Sequence, residues 1–252
     1  MTNIFSLFGD DFSPHKHLAN EHNFIQPTTK ATRFFVHSLP QVRYIFNKTI
    51  VIAIFVLFSQ NSIAGSFENQ LVNAVIERTK YDVRYDGAYF SIPYPNGDIP
   101  SDIGVCTDVI IRAYRAIGAD LQRLVHEDMT NHFSAYPSKR IWGLKSTDRN
   151  IDHRRVPNLQ VFFTRHGTKL PLSDNAKDYK AGDIVTWMLP RNLPHIGIVT
   201  DQISSSSSNP LIAHNIGAGP KLDDMLFDYT ITGHYRYKPK KHNNTHGVST
   251  ND

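Results

Sequence analysis

Val109, Ile110, Ala113, Tyr114 and Ile117 recur at helical spacing, with Asp108, Arg112 and Arg115 opposite them. This predicts a helix that ends at Gly118, a natural C-terminal stop. Upstream, Pro93, Pro95-Asn96-Gly97-Asp98, Pro100 and Gly104 are incompatible with helix, so Cys106 falls at the helix start. Pro157, followed by Asn158 to Arg165 and Gly167, has the ends of a second, shorter helix. Beyond Lys180 the period changes to two. Ile184 to Met188, His195 to Thr200, Leu211 to Asn215 and Gly233 to Tyr237 alternate as strands, separated by Pro190, Pro194, Ser204 to Ser208 and Asn209-Pro210. Helices followed by consecutive short strands imply an α+β domain with an antiparallel sheet.

The ends of the chain read differently. Ile50 to Phe58 is an unbroken apolar run, preceded by Arg43 and Lys48 and followed by Ser62-Ile63-Ala64-Gly65. A basic flank, a short apolar core and small residues before the cut make residues 43–64 a secretory signal peptide, cleaved after Ala64. The run is too short to span a bilayer, which takes about 20 apolar residues. Residues 1–42 are polar with no apolar period, and no methionine lies between Met1 and Met129. They are expected to be a non-native or disordered extension, with the true start near Leu39 or Val42. Residues 65–238 then form the folded domain, and 239–252, nearly devoid of apolar side chains, a disordered tail. The expected location is the periplasm or another exported compartment.

A formal charge of +4 suits an anionic partner, but no zinc-finger spacing, aromatic RNA-binding motif or basic helix accompanies it, which argues against nucleic acid. Cys106 is the only cysteine, so an exported chain has no internal disulfide and no cysteine-rich zinc site. With no HExxH spacing either, no metal and no cofactor are expected. A lone cysteine in an exported chain is an intermolecular bridge, a buried inert thiol or a reactive one, and at a helix start backbone N–H groups and the helix dipole favour thiolate over thiol, the setting of the reactive kind. Among thirteen histidines, His195 stands out by opening a strand directly after the Gly182-Asp183 strand.

These segments resemble the NlpC-type hydrolases of the papain-like superfamily. Tyr94-Pro95-Asn96-Gly97 stands ahead of Cys106, Gly182-Asp183 and His195-Ile196-Gly197-Ile198 follow, and His214 takes a third polar position. The exported region is more specifically similar to the bacterial family called domain of unknown function 1287. That similarity rests on Gly104-Val105-Cys106-Thr107-Asp108-Val109, Asp120-Leu121-Gln122, Ile151 to Leu159 and Ala213-His214-Asn215-Ile216-Gly217. NlpC-type enzymes read Asp-Cys-Ser-Gly where this chain reads Val105-Cys106-Thr107-Asp108, a departure beside the expected cleft.

The resemblance implies a papain-like fold, N-terminal helices with the cysteine helix packed on an antiparallel sheet, and a cysteine hydrolase. Cys106 would be the nucleophile and His195 its base, with His214, or else Asn215, orienting the imidazole. The Cys106 N–H, helped by the Tyr94 hydroxyl, would meet the oxyanion, while Asp108 would pair with an arginine or shape the cleft entrance. Arg154 and Arg155 offer a fork for a substrate carboxylate, or else belong to a structural ion-pair knot or a solvated loop. Export and amide-cleaving chemistry together point to peptidoglycan stem peptides, with no stable membrane span once the signal is cut. An acyl or amide transferase, a thioesterase, and a non-catalytic wall-binding module remain the alternatives.

Overall fold

The computed structural model describes residues 65–240, all within one compact unit of the chain. The expected extension over 1–42, the signal segment over 43–64 and all but the first two residues of the expected tail lie outside the described residues. Five helices are described: α1 (Phe67–Arg78), α2 (Cys106–Ala116), α3 (Leu121–Asn131), α4 (Ser138–Trp142) and α5 (Val156–His166). The strands are β1 (Arg84–Tyr85), β2 (Ile103–Gly104), β3 (Thr168–Lys169), β4 (Ile184–Leu189), β5 (Leu193–Ile203), β6 (Pro210–His214), β7 (Lys221–Asp223) and β8 (Thr230–Arg236). Among the described residues no helix is long and apolar enough to cross a membrane.

Local chemistry explains the helix ends. Ser66 caps α1 by accepting from the Asn69 N–H at 3.2 Å, and Asp120 caps α3 by accepting from the Arg123 N–H at 3.2 Å. Helix α5 carries Pro157 in its first turn, where a missing N–H costs nothing. Helix α2 ends on Gly118 at φ +85°, with the Gly118 and Ala119 N–H groups returning to the carbonyls of Arg115 and Tyr114.

Six strands form one antiparallel sheet in the order β3-β8-β4-β5-β6-β7, and β1 pairs with β2 in a separate parallel pair. The α+β expectation holds. Alternation along the strands sorts the side chains between two apolar clusters. Ile184, Ile196, Ile198, Ala213 and Tyr235 face the helices, meeting Leu71, Val75, Ile110, Tyr114, Leu159 and Phe163. Val185, Trp187, Val199 and Ile212 face the other way, under Tyr179, Met225 and Leu226. The Trp187 indole N–H donates to the Leu226 carbonyl at 2.9 Å, so its one polar atom is satisfied in the core.

Several sequence motifs turn out to be joints in this frame. The Asp183 carboxylate accepts from His234 Nε2 at 2.9 Å and from Arg236 Nε and Nη2 at 2.7 and 2.9 Å, tying the start of β4 to β8. The Asp120 and Gln122 side chains accept the Asn96 and Gly97 N–H groups, each at 2.8 Å. They seat the Tyr94–Gly97 turn against α3.

Candidate active site

Cys106 opens α2, and burial leaves the residue 5% exposed. The approach to it is held from three sides. Asp108, in the first turn, accepts the Val105 N–H at 2.7 Å, and the Asp108 N–H returns to the Val105 carbonyl at 3.1 Å. Arg154 grips Asp108 with two parallel hydrogen bonds, Nε to Oδ1 at 2.9 Å and Nη2 to Oδ2 at 3.0 Å, both side chains being buried. The Asn215 amide reaches the Gly104 carbonyl at 3.4 Å, linking the loop after β6 to the end of β2, two residues before Cys106.

A second line of side chains runs across the sheet. His195 Nε2 lies 2.9 Å from His214 Nδ1, and His214 Nε2 lies 2.8 Å from Asp223 Oδ2. The rings of His195 and His214 meet edge to face, 5.0 Å apart at 85°. Close approach of β5 and β6 makes this possible, and Gly197 permits it. A Cβ there would come within 2.6 Å of Ile212 Cγ2 and 3.3 Å of His214 Cβ. The glycine in His195-Ile196-Gly197-Ile198 is thus a packing requirement of the histidine pair.

The electrostatics correct one expectation from the sequence. Burial pushes the Cys106 thiol up to about 12, against the backbone N–H groups of Ile196, Thr107 and Cys106 itself, which favour the thiolate. Burial, with His214 beside it, lowers His195 to about 3. A helix terminus contributes about 2 kcal/mol at most, whereas full burial shifts a pKa by up to about 3–5 units, so desolvation wins. Burial thus favours a thiol and a neutral imidazole at rest over an ion pair. Among the described residues no hydrogen bond joins the two side chains, and the backbone of Ile196, next to His195, is the largest influence that favours the thiolate.

The other expected residues fall in distinct places. His214 touches His195, whereas Asn215 serves the Gly104 loop and accepts the Gly217 N–H at 3.0 Å. Tyr94 stands over α3, edge-on to His126 at 5.1 Å with Arg149 5.8 Å from its ring, held there by the turn that Asp120 and Gln122 bind. The tyrosine in the electrostatic neighbourhood of Cys106, Asp108 and Arg154 is Tyr85, whose hydroxyl burial raises to about 12. Sequence spacing missed it, because Tyr85 arrives through the β1–β2 pairing with Gly104, a contact with no local signature.

Neither arginine of the expected fork is free. Arg154 is committed to Asp108 and to the Ala88 carbonyl at 3.1 Å. Arg155 pairs with Asp152 at 3.1 Å and lies 4.3 Å over the Trp142 ring. The knot described as the alternative is the arrangement present. Among the described residues no group of three or more His, Cys, Asp or Glu side chains could hold a metal ion. An open cavity of about 980 Å³, apart from Cys106 and His195, is lined by Lys139, Arg140, Arg165 and Lys169 with no carboxylate in its walls.

The family described as "Domain of unknown function (DUF1287)" matches residues 72–237. The chain belongs to this family. The DUF1287 match runs from within α1 to just past β8, and so takes in Cys106, His195, His214 and Asp223. The chain is also 54% identical over 153 residues to "Uncharacterized protein YijF" of Escherichia coli (strain K12), covering 61% of this chain and 73% of that protein. Two solved structures, NlpC1 and NlpC2 from Trichomonas vaginalis, are similar at 16% identity with TM-scores of 0.37 and 0.36. They cover 69% and 70% of this chain, which spans 45% and 49% of their lengths.

Proposed function

We propose that this DUF1287 protein is a cysteine hydrolase that opens an amide bond in the stem peptides of peptidoglycan. One observation carries the reading: the sole cysteine sits at the start of a helix packed on β5, the strand whose His195 a second histidine and a carboxylate hold in line. A buried thiol with no role needs none of that apparatus.

In the proposed reaction the Cys106 proton passes to His195 as the sulfur attacks the amide carbonyl carbon. Helix-start N–H groups, that of Cys106 among them, meet the charge that develops on the carbonyl oxygen. The C–N bond breaks, His195 returns the proton to the leaving amine, and a thioester on Cys106 remains. His195 then takes a proton from water, which attacks the thioester and releases the acid and the free thiol.

The wall substrate is supported by the signal segment read over 43–64 and by the positive balance of the chain. The cavity lined by Lys139, Arg140 and Lys169 adds a surface suited to a carboxylate-rich polymer.

Purified sacculi incubated with the protein, beside a Cys106→Ala control, test the proposal by mass spectrometry of the soluble products. The expected muropeptides carry a new amine and a new carboxylate, with glycan strands uncut. Unchanged sacculi and muropeptides, from a protein that acylates on Cys106 with other substrates, would move the reading to a transferase or thioesterase.

A further inference from the structure

The residues that complete the histidine line, Asp223 and Lys221, lie on the edge strand β7 and have no place in the sequence-derived site. Strand β7 pairs with β6 so that Lys221 faces His214 and Asp223 faces Ile212. Asp223 is therefore one diagonal step from His214 on the same face of the sheet. Its Oδ2 accepts from Lys221 Nζ at 2.8 Å as well as meeting His214 Nε2 at 2.8 Å.

Hydrogen-bond inventory turns this geometry into a proton map. A carboxylate accepts and does not donate, so the nitrogen facing it must carry the proton. Asp223 is ionised near neutral pH: burial raises its pKa, but the hydrogen bonds from Lys221 and His214 outweigh burial and hold it below the usual carboxylate range. His214 is neutral there, because burial lowers it more than Asp223 raises it. A neutral His214 with its proton on Nε2 has a lone pair on Nδ1. Across the 2.9 Å contact, His195 must then donate from Nε2, which leaves the lone pair of a neutral His195 on Nδ1. The opposite arrangement sets the His214 Nε2 lone pair against a carboxylate oxygen at 2.8 Å, with no proton between them.

We propose that Asp223 is a positioning residue that acts through His214 to fix the proton of His195 on Nε2, so that Nδ1 is its basic nitrogen. When Nδ1 takes a proton, the positive imidazolium lies two hydrogen bonds from the Asp223 charge. Lys221 anchors the carboxylate against the edge of the sheet. The role deepens the reading of His195 as the base, but the proton map exists in the resting protein without substrate.

Nitrogen-15 NMR of the histidine-labelled full chain near pH 7.5 reads the tautomers directly, with signals assigned from His195→Gln and His214→Gln. The expected spectrum has both rings protonated on Nε2 and unprotonated on Nδ1. Asp223→Leu should give mixed tautomers at both rings, while Lys221→Gln, which keeps the carboxylate, should leave them unchanged. In any assay of turnover, Asp223→Leu should lower kcat by roughly 10–100-fold with KM little changed. A wild-type His195 protonated on Nδ1 overturns the proposal, even if Asp223→Leu fails to fold. So does an Asp223→Leu spectrum identical to wild type. If the expected tautomers appear while sacculi stay uncut, the hydrolase reading fails and the proton map stands.

Discussion

Cys106→Ala and His195→Ala should each abolish turnover of muropeptides, by a factor on the order of 10⁵–10⁶ in kcat, and the double variant should be no worse than either alone. The non-additivity is the informative part. The sulfur attacks only as its proton leaves, and the imidazole matters only as the acceptor of that proton. Removing either therefore removes one step, not half of each of two. The neutral resting pair makes the dependence stronger, since burial holds the thiol near 12 and no preformed thiolate survives loss of His195. His214→Ala should cost less, about 10²–10⁴-fold, because the imidazole remains but loses its orienting partner. Asn215→Ala should cost less again, since its contact is to the Gly104 carbonyl and not to His195. Rates from single-turnover assays, with circular dichroism to confirm folding, check the ranking.

The largest effect on stability is expected at Arg154. Its side chain and that of Asp108 are 2% and 3% exposed, and they hold each other through two hydrogen bonds. Arg154→Ala leaves a buried carboxylate with the Val105 N–H and no counter-charge, which should cost about 3–5 kcal/mol. At this domain size that lowers Tm by roughly 10 °C. Replacing both partners, as Asp108→Leu with Arg154→Met, should recover most of the loss, because no unpaired charge is then left in the interior. A loop arginine free to bind substrate would instead leave Tm within a degree or two and raise KM. Thermal melts of the two single variants and the double variant separate these outcomes.

The sequence revealed the elements whose pattern is local. The amphipathic run after Cys106 and the alternation from Ile184 to Tyr237 are written in consecutive residues, and α2, α5 and the four long strands fall where the sequence places them, whereas α1, α3 and α4 go unpredicted. The Gly118 stop and the Pro157 start are likewise local chemistry. What escaped is long-range. Tyr85 joins the site through a two-residue strand, and Asp223 through a three-residue edge strand, both too short to carry a period. The Arg154–Asp108 pair spans 46 residues, so a fork open to substrate and a fork closed on a buried carboxylate look identical in the chain. The thiolate expected at a helix start misled for a related reason. The dipole is readable from position alone, but the burial that outweighs it depends on packing from the whole domain.

The central claim is that Cys106 carries the reaction covalently, with His195 moving its proton. Acid-quenched mass spectrometry of the Cys106 peptide, after mixing with an activated ester of a wall peptide, tests it most directly. The account predicts the acyl mass on Cys106 in the wild-type protein, formed far more slowly in His195→Ala and absent from Cys106→Ala. Turnover that continues in Cys106→Ala, or an acyl group found on any other residue, would contradict it.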